Sequence, residues 1–449
     1  MYTIISIATL IISIYFFKKV SGSLSLTKLN MISWIFYVPL ILQSFVASVI
    51  IINGWDDHYI LNSVGPDVRM YGWIATQYTL LALPLGMLLS LWLVGLKTNK
   101  KTFSNFTNKP IVSSLSKRDT FVKLPLHIVS VLSVGAVAYT FYTIGYIPFF
   151  QVFSGSDDLA LSLMRQEVHR EFPGNVYVRN VLALTLSPLL SYVAYSYWRK
   201  TSSKIDFYWF AVLFVSSVFI VTYNLAKAPL IYYFLGFVFL KVLIDGRIKL
   251  KYLLFSFASF FVLIVILYLT VTSVTDASIL FSINSGIGGR VFLSQAAGLY
   301  LSFAYFPSYN DFIGLGSLSS LLSSAFGIDY IDRSARIVMA LFRPSAVEEG
   351  VAGVMNSLFI GEAWANFGLF GVIFAPIYVG FFIQTLFLFF LKSRKTPILL
   401  GSFAYFSYRM PITGGVNDFF YNPGMIIILF IFLNIYFLSL LLKKQKTSV

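Results

Sequence analysis

Eleven apolar runs, most of them near the length a helix needs to cross a bilayer, succeed one another along the chain: 2–17, 32–53, 73–96, 124–145, 180–198, 207–223, 229–244, 252–272, 368–391, 397–410 and 424–442. A spanning helix takes about 20 apolar residues, so the tenth run is short. The runs predict an all-α, polytopic membrane bundle of about 11 spans forming one transmembrane domain over residues 1–449. The first run has neither a basic start nor a small-residue cleavage site, so it reads as a retained span. Two of the intervening segments are long. In 146–179, Leu159, Leu163 and Met164 oppose Arg165, Glu167, His169 and Arg170 in a short amphipathic helix that ends at Pro173-Gly174. The other, 273–353, is too apolar for a disordered loop, and Phe292–Phe306 and Ser317–Phe326 are expected as helices lying on or dipping into the interface.

The apolar pattern is interrupted most sharply between Asp332 and Gly371. Arginines and glutamates sit there beside a run that Gly361, Glu362, Trp364, Asn366, Gly368 and Gly371 break. A short, partly buried helix, a break, and a true span from about Gly368 to Leu391 are predicted. Such a break at membrane depth persists only where protein buries it or a wet cavity meets it.

Composition agrees: 58% hydrophobic and 11% charged residues with a mean hydropathy of +0.80 exclude a soluble globular protein. With no cysteine, disulfides, thiolate chemistry and sulfur-ligated metal are excluded. The net charge of +15 must first be sorted by side of the membrane. Lys18, Lys19 and Lys28, then Lys97–Lys123, Arg199–Lys204, Lys241–Lys251, Lys392–Lys395 and Lys443–Lys446 fall on alternate loops, which predicts an amino terminus outside and a carboxyl terminus inside.

The opposite side then holds Arg69, Arg165, Arg170, Arg179, Lys227, Arg290, Arg333, Arg336, Arg343 and Arg409, nearly all arginine. Each can pair with a neighbouring acid, Asp332 with Arg333 or Arg336 for example. As a set they suit a shared anion, because arginine's fork binds phosphate bidentately. Of these, Arg290, Arg333, Arg336, Arg343 and Arg409 are the strongest candidates. Glu362, in the break and four residues before Asn366, reads either as a general base or as half of an ion pair with an outer arginine. Asp418, in RMPITGGVNDFFYNPG, is the second candidate base, although its glycines also fit an ordinary tight turn. Asp56-Asp57-His58 reads as a solvated surface cluster in preference to a metal-binding or catalytic carboxylate pair, and His127 as structural. No glycine-rich nucleotide loop or metal cluster stands out, and no nucleic acid is expected as a partner.

NSLFIGEAWANFGLFGVIFAPIYVG (Asn356–Gly380) resembles the late signature of the oligosaccharide repeat-unit polymerases (Wzy-type, O-antigen polymerase superfamily), in which a Gly-Glu-aromatic-Asn-Phe-Gly run opens a late span. Tyr408-Arg409 closing the penultimate span, the glycine turn and Asn422-Pro423 after it, and the Tyr223–Pro229 turn are similar too. The resemblance covers roughly the second half of the chain.

It implies a bacterial inner-membrane enzyme acting at the periplasmic face, similar in fold to the metal-independent C-type glycosyltransferases and needing no cofactor. The substrate would be an undecaprenyl-pyrophosphate-linked glycan, and a Wzz-type chain-length regulator would be a partner. An O-antigen ligase, or a flippase of the same lipid, is the alternative. Outside the membrane no nucleotide is at hand, so the energy must already be stored in the donor, and arginines can offset the charge of a pyrophosphate leaving group.

Overall fold

The computed structural model describes residues 1–113, 119–152, 164, 168, 172–226, 228–269, 281–348, 353–355 and 357–447. Among them every regular element is helical, with no strand. Seven helical segments are long and apolar enough to cross a membrane: Tyr2–Lys28, Met31–Ile52, Pro66–Leu93, Thr120–Ile144, Ala228–Asp245, Ile360–Lys392 and Asn417–Leu441. The other four expected spans are helices outside that set: Val178–Leu186 running into Ser187–Thr201, Lys204–Ile220, Leu250–Leu269 and Pro397–Tyr408.

The Ile360–Lys392 and Pro66–Leu93 helices form the central pair. In lipid no hydrophobic force separates helix from tail, so close backbone packing decides which helices associate. Here two glycines permit it: a Cβ on Gly86 would stand 2.0 Å from the Ile377 carbonyl oxygen, and one on Gly380 2.0 Å from that of Leu83. A second group joins Ser187–Thr201 to Lys204–Ile220 and Pro397–Tyr408.

The lysine-rich loops meet at one end of the bundle. Backbone amides of Asn99, Ile248 and Val112 donate to the carbonyls of Lys19 (3.0 Å), Thr27 (2.9 Å) and Lys395 (2.9 Å). Lys123 pairs with Asp206 at 2.7 Å, Arg199 with Asp245 at 2.9 Å, and Lys200 with Asp119. Lys395, almost fully buried, donates to the carbonyls of Thr107 (2.8 Å), Lys109 (2.7 Å) and Ile244 (3.3 Å), pinning three segments together. Burial pushes its ammonium down to about 8, against the pull of Asp245.

At the opposite end, Leu293–Tyr305, expected on or dipping into the interface, is largely enclosed by protein: Leu293 and every residue from Ala296 to Ser302 are buried, and the helix packs against both helices of the central pair. Its small residues Ala296, Ala297 and Gly298 let it pack closely in the bundle. Ser320–Ala325 is a short helix with Leu321 exposed. The amphipathic helix expected around Leu159–Arg170 lies largely outside the described residues.

Candidate functional site

The break falls at Gly368, with φ 58° and ψ −140°, inside Ile360–Lys392. Only glycine adopts that conformation without strain. The carbonyls just ahead of it, on Ala365 and Asn366, accept from the amides of Ile313 (3.0 Å) and Gly314 (2.9 Å). Asn366 donates to the Asn417 side chain at 2.9 Å, and Asn417 donates to the Ser317 carbonyl (3.0 Å) and hydroxyl (2.9 Å). The polar break is thus closed by protein on the side of the long segment, which is how irregular backbone persists at membrane depth.

Three distant parts of the chain then meet at one guanidinium. Arg333, capping the Ser334–Phe342 helix, donates to Glu362 through Nε (2.7 Å) and Nη2 (3.0 Å), and to Asp418 through Nη1 (2.9 Å) and Nη2 (3.2 Å). Glu362 Oε2 also accepts from the Asn417 amide at 2.9 Å. Burial alone would lower the pKa of Arg333, but the bonds and charge of Glu362, and then of Asp418, outweigh it and raise it. The guanidinium therefore stays charged.

The two carboxylates differ in access. The Glu362 side chain is 3% exposed and that of Asp418 26%. Asp418 opens into a cleft of about 310 Å³ lined also by Tyr330, Asp332, Arg333, Arg336 and Gly414. Arg336 pairs with Asp332 at 3.0 Å and is otherwise largely in the open. Gly415 has no room for a side chain: a Cβ would sit 2.1 Å from Glu362 Oε2 and 2.3 Å from Arg333 Nη2. Of the two readings of Glu362, the geometry is that of the ion pair.

No family model, curated protein or solved structure matches this chain. The site therefore rests on its own geometry.

Of the candidate cations, Arg333 and Arg336 are brought together at the cleft. Arg343 is exposed elsewhere, its guanidinium 5.1 Å from the centre of the Tyr59 ring. Arg409 is exposed beyond Pro397–Tyr408, over the rings of Tyr405 (4.5 Å) and Tyr408 (5.8 Å), and Arg290 is exposed on Gly286–Val291. None of these three lines the cleft. Arg179 is buried, bonded to the Val168 carbonyl (3.0 Å) and Asn180 (3.0 Å) and packed on Phe172 and Tyr223, a structural position far from a phosphate clamp in character. Arg165, Arg170 and Lys227 lie outside the described residues.

Of Asp56-Asp57-His58, expected as a solvated cluster, Asp57 is exposed and the other two are not. The Asp56 side chain is fully buried in a bidentate pair with Arg69 (2.7 and 3.1 Å). His58 is buried with Nε2 3.1 Å from Ser294 Oγ; burial lowers its pKa against the pull of Asp56. Among the described residues no group of His, Asp or Glu is arranged to hold a metal ion. Asn417 and Ser317 are not singled out by the sequence, and Gly414-Gly415 beside Asp418 reads there only as a turn.

Proposed function

We propose that this chain is a polymerase that joins undecaprenyl-pyrophosphate-linked oligosaccharide repeat units, of O-antigen or a related surface polysaccharide, at the periplasmic face of a bacterial inner membrane. The observation that carries the reading is an accessible carboxylate, Asp418, fixed by Arg333 beside the exposed fork of Arg336, around a cleft at the bundle end opposite the basic loops. That end is outside if the lysine-rich loops are inside, with the amino terminus outside and eleven spans.

The hydroxyl at the non-reducing end of a new lipid-linked unit attacks the anomeric carbon of the growing chain. The bond from that carbon to the pyrophosphate oxygen breaks, and its electron pair leaves with the lipid pyrophosphate. Asp418 takes the hydroxyl proton. Arg336 offsets charge developing on the leaving group. Arg333 has spent its Nε and most of its Nη donors on carboxylates, so it fixes Asp418, and Glu362 in turn fixes Arg333. Arg343, exposed at the same end of the bundle, can meet the rest of the glycan. A Wzz-type regulator is the partner this activity calls for.

Purified protein in lipid nanodiscs, supplied with lipid-linked repeat units, should yield a ladder of longer glycans. Unchanged substrate length would refute the polymerase and favour transport, or a ligase lacking its acceptor.

A further inference from the structure

The outer end carries a second polar and aromatic arrangement that the cleft does not use. It sits on the loop joining Met31–Ile52 to Pro66–Leu93, which is held at many points. Arg69 donates to the carbonyls of Ile51 (3.1 Å), Leu61 (2.9 Å) and Val64 (3.2 Å) besides pairing with Asp56. The Asp57 amide donates to Asn284 Oδ1 at 2.8 Å, and Asn62 to Asp57 at 2.9 Å. A loop fixed so fully can bury its large apolar side chains, yet Trp55 is 63% and Tyr59 57% exposed.

An exposed tyrosine at a bundle end ordinarily belongs to the membrane's interfacial belt. Tyr59 is placed differently: the Arg343 guanidinium lies over its ring at 5.1 Å, with Phe342 (6.3 Å) and His58 (4.8 Å) beside it. Arg343 is itself exposed, and a charged guanidinium over the ring is costly against lipid tails, so this face suits an aqueous ligand. The Tyr59 ring under Arg343, on a loop that also carries the exposed Trp55 and the bonded pair Asp57–Asn62, offers what a sugar ring requires, because its C–H face packs on an aromatic and its rim hydroxyls bond polar groups.

We propose that Trp55, Tyr59 and Arg343 form a second carbohydrate subsite, which holds a sugar of the glycan away from the reacting bond. The inference rests on the polymerase reading for its substrate class. Spacing supports the link: the Ser334–Phe342 helix begins at the cleft with Arg333 and ends at Phe342-Arg343 beside Tyr59, and its nine residues rise about 13 Å, the reach of a short oligosaccharide. The subsite thereby sets which sugar of the repeat lies at the cleft, and it selects for glycan rather than lipid.

The test uses the full chain in nanodiscs with Trp55→Ala, Tyr59→Ala and Tyr59→Phe. Two quantities are read: KM and kcat on lipid-linked repeat units, and binding of the lipid-free repeat oligosaccharide, released by mild acid, by saturation-transfer NMR and titration. Tyr59→Ala should raise KM and the lipid-free Kd by roughly tenfold, with kcat within about twofold, and Tyr59→Phe should restore both. Should Tyr59→Ala fold poorly, Trp55→Ala carries the same expectation. An enzyme that elongates glycans with KM and Kd unchanged in both alanine variants overturns the subsite. If the wild-type chain makes no ladder but loses lipid-free glycan binding in these variants, the polymerase reading falls and the subsite stands.

Discussion

Gly415→Ala tests the ion triad without reference to any activity. One methyl group is added, and its position is fixed by the backbone: 2.1 Å from Glu362 Oε2, 2.6 Å from Glu362 Cδ and 2.3 Å from Arg333 Nη2. No Cβ tolerates such contacts, so the carboxylate, the guanidinium or the turn must move. Overpacking alone costs about 1–3 kcal/mol. Displacing Glu362 also weakens its charge-assisted bonds to Arg333 and the Asn417 amide, each worth roughly 1.5–3 kcal/mol. A total near 3 kcal/mol is expected, since the partly exposed Arg333 can swing outward and recover part of its hydration. Unfolding in mixed micelles would measure it, within a cycle that also contains Glu362→Ala and the double variant. With the carboxylate gone, the new methyl group meets only the movable end of Arg333, so most of the Gly415→Ala cost should vanish, giving a coupling of about 1–3 kcal/mol. Gly414→Ala, whose Cβ would approach Asp418 Oδ2 no closer than 3.1 Å, is the mild control. Additive costs in the cycle, or equal damage from Gly414→Ala, would refute the argument.

Asp418→Asn should fold and bind lipid-linked substrate normally while turnover falls by roughly two to four orders of magnitude. Glu362→Gln should instead lower the yield of folded protein more than the turnover of each folded molecule; the reverse pattern in glycan-ladder assays would exchange their roles. Gly368→Ala should destabilise by about 1–3 kcal/mol through backbone strain, read as a lower unfolding midpoint, because its conformation is all but reserved for glycine. Lys395→Met should be destabilising through its three orphaned carbonyls. Because the folded pKa of Lys395 lies near 8, below the usual value, the unfolded chain binds more protons between about pH 8 and about pH 10.5, so wild-type stability gains with pH there and the deficit of Lys395→Met should widen as measured by melting across that window.

What the sequence makes legible here is what is local. The lysine-rich loops are compositional clusters, and they do gather at one end. The break at Gly368 shows as glycines and polar residues in an apolar run, and both carboxylates stand out as costly near a membrane. Their common partner does not, because Arg333 lies 29 residues from Glu362 and 85 from Asp418 along the chain. Depth is hidden as well. Hydropathy places Phe292–Phe306 on or dipping into the interface but does not say how deep, whereas the small size of its alanines and glycine is what lets the helix pack in the core. Asp56 and His58 look solvated because composition records charge and not enclosure.

The preference for arginine over lysine at the end of the bundle opposite the lysine-rich loops is a real pattern with a mixed cause. A shared anion is one explanation, and it requires forks that are free to bind. Arg69 has none: its five donors go to three carbonyls and both oxygens of Asp56. Arg333 uses four of five on two carboxylates, and Arg179 is buried against a carbonyl and two aromatic rings. Lysine, with three donors on one nitrogen, cannot join three chain segments in this way. Part of the bias is therefore structural, arginine serving as a multivalent clip for loops at the membrane surface. In the proposed polymerase, ligand binding falls to Arg336 at the cleft, and it is there that replacement by lysine should separate the two causes: activity should fall with Arg336→Lys while stability holds, whereas Arg69→Lys should do the opposite.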